Sequence, residues 1–485
     1  MLNRRTFTRA AAGAVALIGA PALRAQSERI LLAQSAAFTG PAAQLGIQFH
    51  QGAKLYFNQV NAQGGVHRRL IDLIKADDGY EPDRCAENTR KLIAEDPLAL
   101  FGYIGTPTSV VALPLATAAK VPFYAPFTGA MALRNPFNRQ AFHIRASYND
   151  ETELIVKQLT SLGLQKIAVF YQNDAYGKAG LDGVELALKN RNMKPIALAT
   201  VERNTVNVAA AVKTLVAAQP DAIVQVSAYK SCAAFIRAAK AAGFGGTFFN
   251  VSFVGTQALA DELGKDAAGV VVSQVVPSPY SAARAITREF IDAARKGGAD
   301  YQVNFSSMEG YLAAKVMTEG LRRGPPRPTR DTLIAALETL RDETFGGFNV
   351  SFSNANHVAS KFVELSMLTA DGRVRILPWP RTSARPSMQD WVRASCSRLT
   401  YSSGWWACSM LPGPHTTVRM PACLNRPASV PKATCVVRCS PARRWASRVT
   451  ASSAEPRKLG ISQIVSKRKP ASGATCCIAG SSARA

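Results

Sequence analysis

The chain has 485 residues and a formal net charge of +25, from 58 Lys and Arg residues against 33 Asp and Glu residues. The charge is unevenly distributed, because residues 381–485 alone hold 17 basic and 2 acidic side chains. The other 380 residues are only mildly basic and contain no basic helix or stripe of interleaved aromatic residues. The composition therefore argues against a nucleic-acid-binding protein.

Residues 1–25 are predicted to be a signal peptide. Paired arginines precede Phe7, an uncharged Ala/Gly-rich run covers residues 10–23, and cleavage fits after Ala22 or Ala25. The run is shorter than the roughly 20 residues that a membrane-spanning helix needs. Both the twin-arginine and the general secretory route remain open. We expect an exported protein.

Residues 27–376 alternate between predicted strands and helices. Strand 30–33 precedes a helix over 45–60, strand 69–76 follows, and the next helix begins at Pro82. Later strands are predicted at 166–171, 195–200, 222–226, 247–251, 269–275 and 362–367, with helices at 176–190, 206–218, 230–242, 281–296 and 306–323. This alternation favours an α/β fold with doubly wound parallel sheets.

About 350 residues are more than a single hydrophobic core usually holds, so two lobes are expected. The chain divides near 141–147 and 273–279 and crosses again around 347–352. We expect lobe 1 to contain residues 26–145 and 279–346, and lobe 2 to contain residues 146–278 and 347–376. Three crossings make a three-strand hinge with a cleft between the lobes.

The segment 101–130 carries the strongest functional pattern. An apolar run ends in Gly105-Thr106-Pro107-Thr108-Ser109, and a second run ends in a loop with Thr128. Strand–loop–helix–strand–loop places both hydroxyl clusters at the carboxyl edge of a parallel sheet, where such sheets bind ligands. A helix N-terminus beside hydroxyl groups suits a carboxylate. The segment contains no nucleophile, metal-ligand cluster or dinucleotide glycine pattern, which indicates binding of a small molecule.

Residues 27–376 resemble the type I periplasmic binding proteins of branched-chain amino-acid transporters, the leucine–isoleucine–valine-binding group. The matching segments, in order, are AAFTGPAAQLG at 36–46, VNAQGGVHRRL at 60–70, ADD at 76–78, IGTPTSVVALP at 104–114, APFTGA at 125–130 and QNDAYGKAG at 172–180. The resemblance implies a monomeric periplasmic protein without a cofactor. It would close over an amino acid or a related carboxylate or amide and deliver it to the membrane permease of an ABC importer.

The resemblance also implies nine ligand-binding residues. These are Phe38, Gln44, Thr106, Thr108, Ser109 and Thr128 in lobe 1, and Tyr176, Tyr229 and Phe253 in lobe 2. Helix capping is an alternative role for the hydroxyls of 106–109, a turn for Thr128 and ordinary packing for Tyr176. Asp77 and Asp78 are interpreted as turn and cap residues before Pro82, in preference to a metal site.

The ligand's charge is the open question. A buried ammonium without an acidic or carbonyl partner costs several kcal/mol, and branched-chain-binding members of the group supply an acid from a lobe 2 loop. The matching loop here, 250–254, reads Asn-Val-Ser-Phe-Val. Asp174 is interpreted as a helix cap, and the direction of Glu309 is undefined by the sequence. We therefore expect a small organic acid, amide or aromatic carboxylate to be preferred over leucine.

An enzyme and a sensor or receptor ectodomain are the two other classes of function open to this fold. The sequence lacks G-x-S-x-G, H-E-x-x-H, G-x-G-x-x-G and Walker A motifs, and its five histidines are scattered, so we predict neither an enzyme nor a metal site. A sensor or receptor ectodomain of the same fold is the alternative. It would need a transmembrane or signalling segment after the lobes.

Residues 377–485 have no sustained period of 2 or 3.6 and hold seven of the nine cysteines. Zinc-site spacing is absent, and an odd number of cysteines in an exported chain predicts mispairing. We interpret this region as a non-homologous, disordered tail, produced by an out-of-frame or read-through extension. An appended disulfide-bearing module is the alternative.

A shortened chain of residues 26–376 should fold and bind as well as the full chain, because it contains both predicted lobes. Urea unfolding monitored by circular dichroism would measure this. If the shortened chain fails to fold while the full chain folds, the tail is structural.

Overall fold

The computed structural model describes residues 29–377 in full. Beyond them it describes the backbone of six short strands, Leu399–Ser402, Trp405–Ser409, Thr417–Pro421, Thr434–Ser440, Ser447–Thr450 and Thr475–Ala479. The chain divides into a unit of residues 1–379 and a unit of residues 380–485. In the second unit these strands form two antiparallel three-stranded sheets. The predicted signal peptide lies outside the described residues.

Lobe 1 is built on a parallel sheet of five strands in the order β2-β1-β3-β4-β5. The strands are β1 (Ile30–Ala36), β2 (Ile71–Asp77), β3 (Ala99–Phe101), β4 (Phe123–Tyr124) and β5 (Ala141–Phe142). The first connecting helices are α1 (Ala43–Ala62), α2 (Pro82–Ala94) and α3 (Thr106–Ala118). Nearly every residue of β1 is buried, as expected for a central strand covered on both faces.

Lobe 2 continues the alternation around a second sheet. Its strands β6 (Ile167–Gln172), β7 (Leu198–Val201), β8 (Ala222–Val226), β9 (Thr247–Asn250) and β10 (Val271–Gln274) run parallel. The helices are α4 (Tyr148–Ser161), α5 (Ala175–Lys189), α6 (Ala209–Ala217), α7 (Tyr229–Ala241) and α8 (Thr256–Leu263). Nearly every residue of β6, β8, β9 and β10 is buried, as expected for strands covered by helices, whereas the edge strand β7 is partly exposed.

The chain then returns to lobe 1 through three helices and a hairpin. These are α9 (Ala285–Gly297), α10 (Phe305–Arg323), α11 (Arg330–Glu338), and the hairpin β11 (Glu343–Phe345) and β12 (Phe348–Val350). A third crossing leads to β13 (Glu364–Leu368) and β14 (Val374–Ile376), which add antiparallel strands to the second sheet. The seven strands of that sheet follow the order β14-β13-β10-β9-β8-β6-β7.

Two of the crossings pair with each other in the hinge. The backbone N–H of His143 donates to the carbonyl of His357, and the N–H of Ala359 donates to the carbonyl of His143, each at 2.8 Å. This parallel bridge ties the first crossing to the third. In the described part of the chain, no helix is long and apolar enough to cross a membrane.

The predicted α/β fold with parallel sheets is confirmed, and the element ends differ from the prediction mostly by one to three residues. The helix predicted from residue 206 begins at Ala209, because a turn closed by the Thr205 N–H and the Glu202 carbonyl precedes it. Tyr229, expected in a loop, is the first residue of α7. The pattern missed α4, α8 and α11, of which the last two are only eight and nine residues long.

Glycine allows α1 and α10 to lie in backbone contact. A Cβ atom at Gly310 would stand 2.0 Å from the carbonyl oxygen of Phe49, and one at Gly52 would stand 1.8 Å from that of Ser307. Both overlaps involve backbone, which cannot move aside as a flexible side chain could. Helix α10, which returns to lobe 1 from lobe 2, is therefore packed tightly onto α1.

Gly310→Ala should lower the free energy of unfolding by about 1–3 kcal/mol, because the overlap outweighs the better helix propensity of alanine. Urea unfolding would measure the change. Gly245→Ala is the matched control, since its Cβ would meet nothing within 4 Å. Equal effects of the two substitutions would contradict this account of the α1–α10 contact.

Candidate functional site

The loops at the carboxyl ends of the two sheets meet in an interlobe cleft. Tyr80 follows β2, and its hydroxyl accepts a 3.3 Å hydrogen bond from Nε2 of Gln172, at the end of β6. Phe253 follows β9, and its ring centroid lies 5.8 Å from that of Phe127, which follows β4. The lobes therefore touch directly, and the described state is closed. This edge is where parallel sheets bind ligands.

The lobe 1 hydroxyls have different surroundings. Thr106 and Thr128 are joined by a 2.7 Å hydrogen bond between their hydroxyls, and the Thr128 hydroxyl also donates to the Tyr148 hydroxyl oxygen at 3.3 Å. The hydroxyl of Thr108 donates to backbone carbonyls one turn earlier in the chain. Within residues 29–377 the buried Ser109 hydroxyl has no hydrogen-bond partner. Thr106, Thr128 and Ser109 thus remain the stronger binding candidates, while the Thr108 hydroxyl is used locally.

An aromatic cluster fills the middle of the cleft, and Phe253 is its centre. The Phe253 ring lies 4.5 Å from the Tyr176 ring of its own lobe and 5.8 Å from the Tyr80 ring of lobe 1. Tyr148 packs on Tyr176 at 5.5 Å. All these side chains, and Phe127, are almost fully buried. Tyr176 and Phe253 were among the predicted site residues, and Tyr80, Phe127 and Tyr148 were not. Phe127 lies within the motif at 125–130, and Tyr80 follows the motif at 76–78 by two residues.

Tyr176 is held by the start of α5. The side chain of Asp174 accepts hydrogen bonds from the backbone N–H groups of Tyr176 and Gly177, which confirms Asp174 as a helix cap. The Tyr176 hydroxyl is buried and has no hydrogen-bond partner among the described residues. A buried hydroxyl without a partner is costly, so this atom is a candidate for ligand contact.

The remaining predicted residues lie apart from the aromatic cluster. The rings of Phe38 and His50 pack edge-on, with their centroids 5.5 Å apart. The Lys75 ammonium lies 4.7 Å from the centroid of the Phe38 ring. Burial, followed by the nearby lysines, lowers the pKa of His50 to about 4, so it is neutral at pH 7. Gln44 is exposed, and its backbone N–H meets the Tyr229 hydroxyl at 3.5 Å across the lobes.

Asp77 and Asp78 organise the loop that carries Tyr80. Asp77 accepts hydrogen bonds from the backbone N–H groups of Phe38, Thr39 and Gly79. Asp78 accepts from the Ser35 hydroxyl and from the Tyr80 N–H, both at 2.8 Å. The bonds to Gly79 and Tyr80 are turn contacts, as predicted, whereas those to Ser35, Phe38 and Thr39 tie the turn to the end of β1 and the loop after it. The predicted capping role is wrong, because the N-cap of α2 is Glu81 and, among the described residues, no side chain caps that helix. Within residues 29–377 no group of acidic, histidine or cysteine side chains is arranged to hold a metal ion.

A buried ion pair lies where the first crossing leaves lobe 1. Nε and Nη2 of Arg145 donate to the two carboxylate oxygens of Glu309, each at 2.9 Å. The side chains are only 1% and 5% exposed, and the guanidinium stacks 4.2 Å above the Phe127 ring. The sequence did not show where the Glu309 side chain points, and Arg145 was not among the predicted site residues. Nη1 of Arg145 has no hydrogen-bond partner in the described part of the chain.

Glu151, on the first turns of α4, reaches the loop that lacks an acid of its own. Its carboxylate accepts from the backbone N–H of Ser252 at 2.7 Å, from the Ser252 hydroxyl at 3.0 Å and from the Ser273 hydroxyl at 2.5 Å. Burial raises the pKa of Glu151, and the positive charge of Arg145 opposes that shift. The loop 250–254 is thus anchored by an acid that is distant in sequence.

The comparisons with known proteins agree with this architecture. A profile of the family described as periplasmic binding protein matches residues 30–372. A possible leucine/isoleucine/valine-binding protein from Rhodopirellula baltica SH 1 is 33% identical, with a TM-score of 0.71 over 75% of this chain and 100% of that one. A substrate-binding periplasmic protein from Ralstonia solanacearum is 31% identical, with a TM-score of 0.68 over 72% of this chain and 100% of that one.

Among curated proteins, Leu/Ile/Val-binding protein homolog 7 of Brucella suis biovar 1 is 24% identical over 359 residues, which cover 70% of this chain and 88% of the relative. The fold and the cleft define a two-lobed solute-binding protein. The chain belongs to the periplasmic binding protein family, in its leucine–isoleucine–valine-binding branch, and the resemblance drawn from the six sequence motifs is confirmed.

Glu309→Gln should lower the free energy of unfolding by about 3–5 kcal/mol, because it leaves the buried Arg145 charge without its counter-ion. Chemical denaturation at pH 7 would measure it. Glu319→Gln, on the same helix but in a partly exposed pair with Arg323, should cost less than about 1 kcal/mol. Similar losses for both variants would contradict the importance assigned to the buried pair.

Proposed function

We propose that this protein captures a small amino-acid-like or organic-acid ligand between its lobes and delivers it to the membrane permease of an ABC importer. One observation carries the proposal. Polar atoms that lack partners are contributed by lobe 1, the first crossing and lobe 2, namely Ser109 Oγ, Arg145 Nη1 and Tyr176 Oη. All three belong to segments that border the aromatic cluster.

The energetics support ligand-dependent closure. Each buried polar group without a partner costs about 1–3 kcal/mol, so closing the empty cleft carries a penalty. A ligand with complementary polar atoms removes that penalty only in the closed state. It therefore binds the closed state more tightly than the open one, and this difference is what shifts the lobes toward closure.

The polar groups of the cleft favour a carboxylate. Nη1 of Arg145 supplies an N–H donor beyond the two that Glu309 accepts, Ser109 and the Thr106–Thr128 pair supply hydroxyls, and the N-terminus of α3 supplies a favourable dipole. The buried acids are already engaged, Glu309 by Arg145 and Glu151 by Ser252 and Ser273. An ammonium would have to compete with these donors, which favours an organic acid, amide or aromatic carboxylate over leucine.

Membership of the periplasmic binding protein family and the N-terminal export signal support delivery in the periplasm to a membrane permease. The proposal includes no catalytic step. A receptor of the same fold would bind the same ligand without supporting its uptake. Loss of ligand uptake in cells lacking this protein is expected, and unchanged uptake would favour the receptor.

A thermal-shift comparison of leucine with 4-methylpentanoate, which has the same carbon skeleton without the amine, would test the ligand class. The acid should stabilise more strongly, since a ligand at 100 times its dissociation constant adds about 2.7 kcal/mol. Benzoate, isoleucine and valine complete the panel. Stabilisation by the three amino acids, with none by the acids, would overturn the expected preference.

Whichever ligand stabilises, Thr128→Ala and Tyr176→Ala should each weaken its binding about 5- to 100-fold, through loss of one or two hydrogen bonds or a ring contact. Thr117→Ala is the control, because the Thr117 hydroxyl bonds within α3 and to Asn138, away from the cleft. Titration calorimetry would measure the affinities. Unchanged affinity in both cleft variants would rule out this position for the site.

A further inference from the structure

A second set of interlobe contacts lies beside the aromatic cluster. The loop after β7 in lobe 2 faces the loop between β2 and α2 in lobe 1. Nη2 of Arg203 lies 2.8 Å from a carboxylate oxygen of Glu81. Nδ2 of Asn204 donates to the other Glu81 oxygen at 2.7 Å and to the backbone carbonyl of Gly79 at 3.1 Å. One carboxylate and one carbonyl of lobe 1 thus receive three bonds from lobe 2.

Both sides of this contact are held rigidly by their own lobe. In lobe 1, Asp77 and Asp78 fix the loop through backbone N–H groups, and Gly79 and Tyr80 have left-handed backbone angles, with φ of 58° and 64°. A left-handed conformation is uncommon for a bulky residue such as tyrosine. It turns Tyr80 toward Phe253 while the next residue, Glu81, meets lobe 2.

In lobe 2, Asn204 also has a left-handed φ of 59°, and Arg203 lies 3.4 Å from the carboxylate of Asp174. Asp174 in turn caps the helix of Tyr176 and accepts from Gln172, the residue that bonds Tyr80. The polar contact and the candidate binding residue Tyr176 therefore share one carboxylate.

We propose that Glu81, Arg203 and Asn204 form a latch that holds the lobes closed and sets the rate at which the cleft opens. The unpaired polar atoms of the cleft oppose empty closure, and the latch favours closure through a charge-assisted pair and two further hydrogen bonds. Nε of Arg203 and Oδ1 of Asn204 are themselves buried without a partner among the described residues, which reduces the gain. The Arg203 and Glu81 side chains are 24% and 41% exposed, so salt screens the pair partly. The latch lies outside the aromatic cluster and acts whether or not ligand is present.

Hydrogen–deuterium exchange of the full-length, ligand-free protein tests the latch. Segments 126–130 and 252–256 line the cleft and contain none of the substituted residues. In Glu81→Ala and Asn204→Ala, exchange in these segments should be about tenfold faster, the effect of losing one or two charge-assisted hydrogen bonds. Exchange in segments 49–57 and 308–317, the α1–α10 core, should not change. Added sodium chloride should speed cleft exchange in the wild type and much less in Glu81→Ala.

Glu87→Ala is the matched control, because Glu87 lies on α2, the helix that directly follows Glu81, and pairs with Lys91 of the same helix. It should leave exchange in the cleft unchanged. Glu81→Gln, which keeps the size of the side chain, provides a milder second variant with a smaller increase. Unchanged cleft exchange in both Glu81 variants would overturn the latch. An equal increase in the α1–α10 core would also overturn it, since the contact would then stabilise the lobes themselves. Neither result bears on the ligand proposed above.

Discussion

The Arg145–Glu309 ion pair is the constraint on which the cleft depends. Glu309 lies on α10, which packs in backbone contact on α1, and Arg145 lies in the first crossing between the lobes. Two charges buried this deeply must stay paired, because an isolated buried ion costs several kcal/mol. The pair therefore fixes the start of the first crossing, at Arg145, in one position relative to lobe 1. The Phe127 ring, which lies under the guanidinium, is held with it.

A second buried acid, Glu151, positions two segments of lobe 2. Glu151 is six residues further along the chain than Arg145 and holds both the Ser252 loop and Ser273. Phe253, the centre of the aromatic cluster, adjoins Ser252. The two carboxylates and one guanidinium thus position the lobe 2 ring that meets lobe 1. Their main role in the described state is structural, and the one guanidinium nitrogen left without a partner is what they offer to a ligand.

Opposing local interactions determine whether the ligand-free cleft is open or closed. Unpaired polar atoms on both sides disfavour a closed empty cleft, while the ring contacts of Phe253 and the bonds of Glu81 to Arg203 and Asn204 favour it. These terms are each of the order of 1 kcal/mol, and a ligand needs only a few kcal/mol of differential affinity to decide between the two states. A solute-binding protein with such a balance can both capture and release its ligand.

The sequence by itself determined the fold class, the order of most elements, the hydroxyl-bearing loops at the sheet edge and the family, because periodic patterns and motif order are local in the chain. It also identified Asp174 as a cap, which needs only neighbouring residues. Only the tertiary structure decided that Glu309 faces Arg145, that Glu151 serves the loop at Ser252, and that Tyr80 and Phe127 join Phe253. These pairs are separated by roughly 100 to 175 residues. Folding brings them together, so no spacing in the sequence predicts them.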